Sequence, residues 1–274
     1  KLPKDTTDRN RTSPFAFTGN KFEFRMLGSA NSIACTNIML NVAVAESLRQ
    51  YADILEKAED FETALNELIK STIKAHKRII FNGNGYDDAW IEEAQNKRGL
   101  LNLKTTPDAM AHLLDAKNLK IFTEHKVYSV AEISSRHEIL LDNYCKTLNI
   151  EAMTMTDMVR KDILPAIGAY TKDVAETCTA KKAAVSGIDC TYEEKLIRKL
   201  SSLSSAIDEY DSALSDDLSS VKDAPDLETL SFRYKDVIIP DMQKLRAAVD
   251  EAEQICKAEY WPYPSYGELL FGVR

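Results

Sequence analysis

The sequence has no long apolar run and no paired cysteines, and each absence narrows what it can be. No stretch is apolar enough to cross a bilayer as a helix, and no signal-peptide pattern is present. The five cysteines, Cys35, Cys145, Cys178, Cys190 and Cys256, are odd in number and widely spaced, with no CxxC pair and no Cys/His cluster. They read as small buried hydrophobes of a reducing compartment, not as a disulfide framework or a zinc site. A surplus of positive charge is missing as well. The net charge is -8, with cations scattered between acids, so neither nucleic acid nor a membrane is expected as a partner. His76, His112, His125 and His137 lack metal-ligand spacing, and His137 falls on an apolar stripe as a packing residue. Gly83-Asn84-Gly85 lacks the third glycine of a dinucleotide fingerprint and the Gly-Lys-Ser/Thr of a phosphate loop, which leaves a turn. The sequon Asn10-Arg11-Thr12 has no secretory context around it.

What is present is ordinary material for a globular chain: 274 residues, 44% hydrophobic and 28% charged, enough for one large domain or two smaller ones. The chain opens on a polar run, residues 1–12, without Met and without a helix or strand pattern, as a chain cut from something larger would. Gly19-Asn20 then signals a turn into Lys21-Phe22-Glu23-Phe24-Arg25-Met26. This stretch alternates with period two, so Glu23 and Arg25 share one face of a strand and Phe22 and Phe24 the other.

Helical periodicity takes over from residue 35. Leu40, Val44, Leu48, Tyr51 and Leu55 make one stripe; Phe61, Leu65, Leu68, Ile69 and Ile73 make a second, with Asp60 as its N-cap. Residues 79–86 read as a short strand running into the glycine turn. Short helices are expected over 87–97 and over 107–116, the latter with Thr106 as cap and Pro107 in its first position. A long stripe runs from Ile133 through His137, Leu140, Tyr144, Leu148, Ala152, Met155, Val159 and Ile163, with Pro165 set to kink or break it. Leu196, Leu200, Leu203, Ile207, Tyr210 and Leu214 keep a heptad seam. A second seam, Leu227 to Val237 and Met242 to Cys256, is interrupted by Pro240. Two such helices across a short linker predict an antiparallel hairpin, with the long helix packed on it as a bundle; a stalk whose seam meets another chain is the alternative. The aromatic, proline-rich end from Tyr260 to Phe271 is expected to be non-helical and docked. The division is therefore 1–34 as a terminal strand segment, 35–128 as helices and a short strand, 129–259 as a helical bundle, and 260–274 as a docked tail.

Glu23 and Arg25 on one strand face could simply pair. Yet Arg9, Asn10 and Arg11 lie just before them. Arginine forks and a metal-binding carboxylate suit an anionic phosphate, so phosphoryl chemistry is permitted without being singled out.

The run Asn10-Arg11-Thr12-Ser13-Pro14-Phe15-Ala16-Phe17, followed by Gly19-Asn20-Lys21-Phe22-Glu23-Phe24-Arg25, resembles glutamine synthetases. Their pattern is Asn-Arg-Ser/Thr, a spacer, then a strand reading basic–apolar–Glu–apolar–Arg. The wording of this run, with Phe81-Asn82-Gly83, Arg98-Gly99-Leu100, Thr105-Thr106-Pro107-Asp108-Ala109 and the stretch from Trp261 to Phe271, points to the C-terminal part of the type III subfamily. The resemblance implies a mainly α chain, a bundle preceded by a strand or two of a truncated catalytic α/β barrel. It implies that Arg11 contacts the transferred phosphoryl group, Lys21 lies near the nucleotide, Glu23 ligates a metal and Arg25 holds the substrate glutamate. The better-known pattern has a second arginine where this chain has Ala16. The implied parent is a cytoplasmic glutamate–ammonia ligase using ATP and Mg²⁺ (or Mn²⁺), working through γ-glutamyl phosphate and assembled as a homo-oligomer, a dodecamer by resemblance. The chain alone, lacking most of that site, is expected to be inactive. Two other readings stand beside it: a helical assembly or regulatory module of the same enzyme, and a related ligase that uses another amine.

Overall fold

Residues 15–17, 22–24, 28, 32–81, 85 and 87–272 are described by a computed structural model. The first elements are two short strands, β1 (Phe15–Phe17) and β2 (Phe22–Phe24), which pair antiparallel and, among the described residues, only with each other. Of the expected six-residue strand, Phe22–Phe24 lie among the described residues and are strand, while Lys21, Arg25 and Met26 lie outside them; no barrel is formed by the described residues. Everything described after it is helix or connection, and among the described residues no helix is long and apolar enough to cross a membrane. The chain divides into two units, residues 1–104 with 111–134, and residues 105–110 with 135–274.

In the first unit, α1 (Ala34–Leu55) and α2 (Phe61–His76) follow the two stripes. Asp60 caps α2 by accepting from the Glu62 and Thr63 amides, and the Thr63 hydroxyl, which also donates to it, foremost holds its carboxyl below the usual range. The stretch after α2 departs from expectation. Lys77–Ile79 is a 3₁₀ turn, not a strand, because it continues the helix's winding and only Ile80 turns extended. α3 (Asp88–Glu92) follows, capped by Asp87, and widens into a π-turn at Glu93–Lys97. α5 (Ala116–Glu124) was not foreseen, since the sequence pattern was read as ending near residue 116. Glu46 ties α1 to the end of α5: it accepts from Arg49 (2.7 Å), from Gln50 (2.7 Å) and from His125 Nε2 (2.9 Å). These donors, Arg49 foremost, hold its carboxyl far below the ordinary range.

The second unit is a helical bundle. α4 (Thr106–Met110) begins one residue earlier than expected, so the cap is Thr105, whose hydroxyl meets the Asp108 amide and carboxylate, and Thr106 is already helical. Asp108 then anchors α4 through Lys235 (2.6 Å). α6 (Val130–Met158), whose first residues belong to the first unit, runs through a π-turn at Val159–Ile163 into α7 (Leu164–Ala184). Pro165 therefore does not break the rod. A proline cannot donate to the carbonyl four residues back; the chain widens just before it, with the Leu164 amide donating to the Val159 carbonyl five residues back. The same device precedes Pro240. Between α9 (Leu227–Arg233) and α10 (Ile239–Ile255), the π-turn Tyr234–Ile238 ends with the Ile239 amide on the Tyr234 carbonyl.

α8 (Thr191–Ser220) is the centre of the bundle. Leu200, Ile207 and Leu214 are all 0% exposed, and they form one core with Ile167 of α7, Ile238, and Leu245 and Ala252 of α10. Its partners run antiparallel. Arg160 meets Asp211 while Lys181 meets Glu193 across α7 and α8, and Lys199 meets Glu251 while Asp217 faces Asp241 across α8 and α10. The buried positions of the seams are therefore filled from inside the chain. On α6 the expected stripe holds at Ile133 and Ala152, while between them the buried residues are Leu141 and Cys145 in place of Leu140 and Tyr144.

Four cysteines are buried as expected, and burial pushes the Cys145 thiol up to about 11. Cys35, in the first turn of α1, is exposed instead, because that turn has no buried neighbour residue. The tail divides. Trp261 and Tyr263 pack on the bundle core, Tyr263 donating to Asp162 (3.0 Å). Beyond them α11 (Tyr266–Phe271) is a helix closed by a Ser265–Glu268 capping box, where a non-helical docked tail was expected, and its Tyr266 and Phe271 are exposed.

Two measurements check this account. Ile207→Ala empties a fully enclosed site and should cost about 2–5 kcal/mol in urea unfolding with an unchanged m-value. Asp217 lies against the Asp241 carboxyl, which raises its pKa above the ordinary 3.8. The native state thus holds this proton more tightly than the unfolded chain. The stabilisation is full below the ordinary value and is lost as pH rises through the raised one. Asp217→Asn should raise Tm at neutral pH and lose that advantage in acid; an equal Tm difference at every pH would contradict it.

Candidate functional site

The residues picked out from the sequence lie at the start of the chain. In the β1–β2 pair, Phe15 stands opposite Phe24, Ala16 opposite Glu23 and Phe17 opposite Phe22. The alternation of apolar and charged positions favours this extended pairing, and Gly19-Asn20 lies in the connection. Glu23 is thus placed on β2, in register with Ala16, the position where the better-known synthetase pattern carries its second arginine. Arg11, Lys21 and Arg25 lie outside the described residues, as do Asn82, Gly83 and Asn84 of the glycine turn. The structure therefore places one of the four expected site residues, Glu23, on an element.

A second constellation was not singled out by the sequence reading. Arg98, at the end of the π-turn Glu93–Lys97, is held on all sides. Its Nε and one terminal nitrogen donate to Glu93 Oε1 (2.9 and 2.7 Å). The other terminal nitrogen donates to the carbonyls of Arg78 (3.2 Å) and Ile80 (2.8 Å). Its guanidinium lies 4.7 Å from the Trp90 ring centre, and Trp90 stacks on Phe81 at 3.7 Å. The π-turn makes this possible by carrying residue 98 back over the end of α2, and Gly99 takes the left-handed φ of +63° needed to leave it.

This anchor forms one wall of a cleft of about 580 Å³ lined by Ile73, Lys77, Arg78, Ile80 and Arg98. Three of these side chains are cations, and among the described residues no carboxylate lines the cleft. The signal in the sequence was the pair of basic dipeptides Lys77-Arg78 and Lys97-Arg98, the second followed by glycine. Periodicity does not reveal it, because the two dipeptides are twenty residues apart and meet only through the turn. Among the described residues, no group of three or more His, Cys, Asp or Glu could hold a metal ion.

Comparison with known proteins bears on the whole chain. Residues 64–182, from within α2 to the end of α7, match the glutamine synthetase C-terminal domain. A glutamine synthetase of Butyrivibrio fibrisolvens is 40% identical over 277 residues, covering 99% of this chain and 39% of that protein. A type-3 glutamine synthetase of Dictyostelium discoideum is 39% identical, covering 98% of this chain and 38% of its own length. One from Bacteroides fragilis (strain YCH46) is 31% identical, covering 97% and 38%. The chain thus spans about two fifths of the length of the curated relatives it matches. With similarity running along nearly the whole chain and a domain match at its centre, this chain belongs to the glutamine synthetase family, on the type III side.

Proposed function

We propose that the chain is part of an ATP-dependent glutamate–ammonia ligase, to which it contributes the β1–β2 hairpin as one edge of the active site and the bundle as scaffold. The observation that carries this reading is the 40% identity to a glutamine synthetase across 99% of the chain, which includes the hairpin motif as well as the helices. The hairpin register supports it by setting Glu23 on a paired strand, a backbone better fixed than a loop for holding a ligand.

A divalent cation takes several oxygen ligands. Glu23 fits as one of them, and this chain's described residues do not form a complete site. When bound, Mg²⁺ or Mn²⁺ would neutralise phosphate oxygens of ATP. The chain's own residues do the rest. Arg25 binds the glutamate substrate. Arg11 presents its donor fork to the phosphoryl group as it passes from ATP to the glutamate side-chain carboxylate, giving γ-glutamyl phosphate and ADP. Lys21 sits near the nucleotide. Ammonia then attacks the acyl carbon and phosphate departs, leaving glutamine. The same residues would serve a related ligase with another amine, since none of them selects the nucleophile. A cytoplasmic homo-oligomer, ring-forming and dodecameric as the resemblance implies, completes the reading.

In the full-length protein, Glu23→Ala should lower metal-dependent glutamine formation by about 100-fold or more, since even outer-shell partners of a metal are worth 10–100-fold. Turnover that survives the change would remove Glu23 from the site. The 274-residue chain by itself should form no glutamine from ATP, glutamate and ammonia, and robust product would overturn the view that it holds only part of the active site. Replacing ammonia by methylamine or hydroxylamine in the full-length assay separates the ammonia ligase from a relative that prefers another amine.

A further inference from the structure

We propose that the cleft at the end of α2 is a binding site for a small phosphate monoester, its phosphate held by Lys77 and Arg78 and its apolar body lying on Ile73 and Ile80. The proposed function uses none of these residues.

The case begins with charge. Lys77, Arg78 and Arg98 line one cleft, and among the described residues the one carboxylate engaged with any of them is Glu93, which is bound to Arg98. Two positive charges are therefore left unbalanced in a space of about 580 Å³. Cations at a helix C-terminus complement the helix dipole, which accounts for Lys77 and Arg78 following α2. It does not account for Arg98, brought in from another element and fixed by five contacts to Glu93, two carbonyls and Trp90. The Arg78 guanidinium lies beside Gly99, its Nη1 3.8 Å from where a β-carbon at that glycine would stand.

The donors identify the anion. All three guanidinium nitrogens of Arg98 are committed, so it supplies field and shape and not new hydrogen bonds. Among the described residues, the side chains of Arg78 and Lys77 have no carboxylate partner, which leaves one planar fork and one ammonium, a pairing that matches the several oxygens of a phosphate. Ile73 and Ile80 line the same space and are half exposed, at 54% and 49%, so a ligand with an apolar body covers surface that is otherwise wet.

The experiment uses the full-length protein with inorganic phosphate and phenyl phosphate as probes, titrated at constant ionic strength and followed by calorimetry and by the fluorescence of Trp90, which stacks against Arg98. Phenyl phosphate should bind saturably, change Trp90 emission and bind more tightly than inorganic phosphate. Lys77→Ala/Arg78→Ala should weaken this site by about tenfold or more without lowering Tm in the absence of ligand. Arg11→Gln, in the synthetase motif, should leave the Trp90 response intact, which separates this site from phosphate binding by the synthetase residues. A Trp90 response lost in Arg11→Gln and retained in the double variant would overturn the assignment, as would the absence of saturable binding. Equal affinity for the two probes would overturn the apolar half of the site.

Discussion

Burial of the α8 seam is the interaction on which the bundle depends. Leu200, Ile207 and Leu214 recur every seven residues on one face, and that face is enclosed between α7 and α10. Once α8 is enclosed, the polar pairs fall into place around it. Arg160 reaches the buried Asp211, Lys181 and Lys182 meet Glu193 and Glu194 across the α7–α8 turn, and Lys244 offsets Asp241. Pairs of this kind contribute little when exposed, so they select register more than they supply stability. Apolar area removed from water supplies the driving force, and the antiparallel order of the pairs follows from the short connections.

Two prolines test the continuity of these rods, and both are accommodated in the same way. The π-turns before Pro165 and Pro240 shift one hydrogen bond from four residues back to five, so that the proline falls where a missing donor matters least. The buried residues Val159 and Ile163, and Tyr234 and Ile238, belong to these turns. The extra residue that a π-turn inserts therefore also rotates the apolar stripe. A third π-turn, at Glu93–Lys97, does different work in the other unit: it brings Arg98 over the end of α2.

The functional residues divide along the same line. Arg11, Lys21, Glu23 and Arg25 are legible in the sequence because they sit in one short motif, and their roles rest on family resemblance. The strand register of Glu23 is the part that the structure adds. The cleft of Lys77, Arg78 and Arg98 was invisible to a reading along the chain. Each dipeptide by itself looks like a solvated helix end, and only the Gly99 turn, with the Glu93 and Trp90 contacts, makes them neighbours. The same limit explains the missed helix α5 and the supposed strand at residues 79–81. Short apolar runs without a sustained period do not distinguish a strand from a tight helical turn.

Local pattern alone determined the family, the helical character, the heptad seam and the Asp60 cap, because each of these is set by residues within a few positions of one another. Tertiary structure decided the rest. It closed the seams within one chain, carried the helices through their prolines, left α11 and Cys35 exposed, and placed three cations in one cleft. These outcomes depend on contacts between residues far apart in sequence, and their energies are settled only when the chain has folded far enough for those residues to meet.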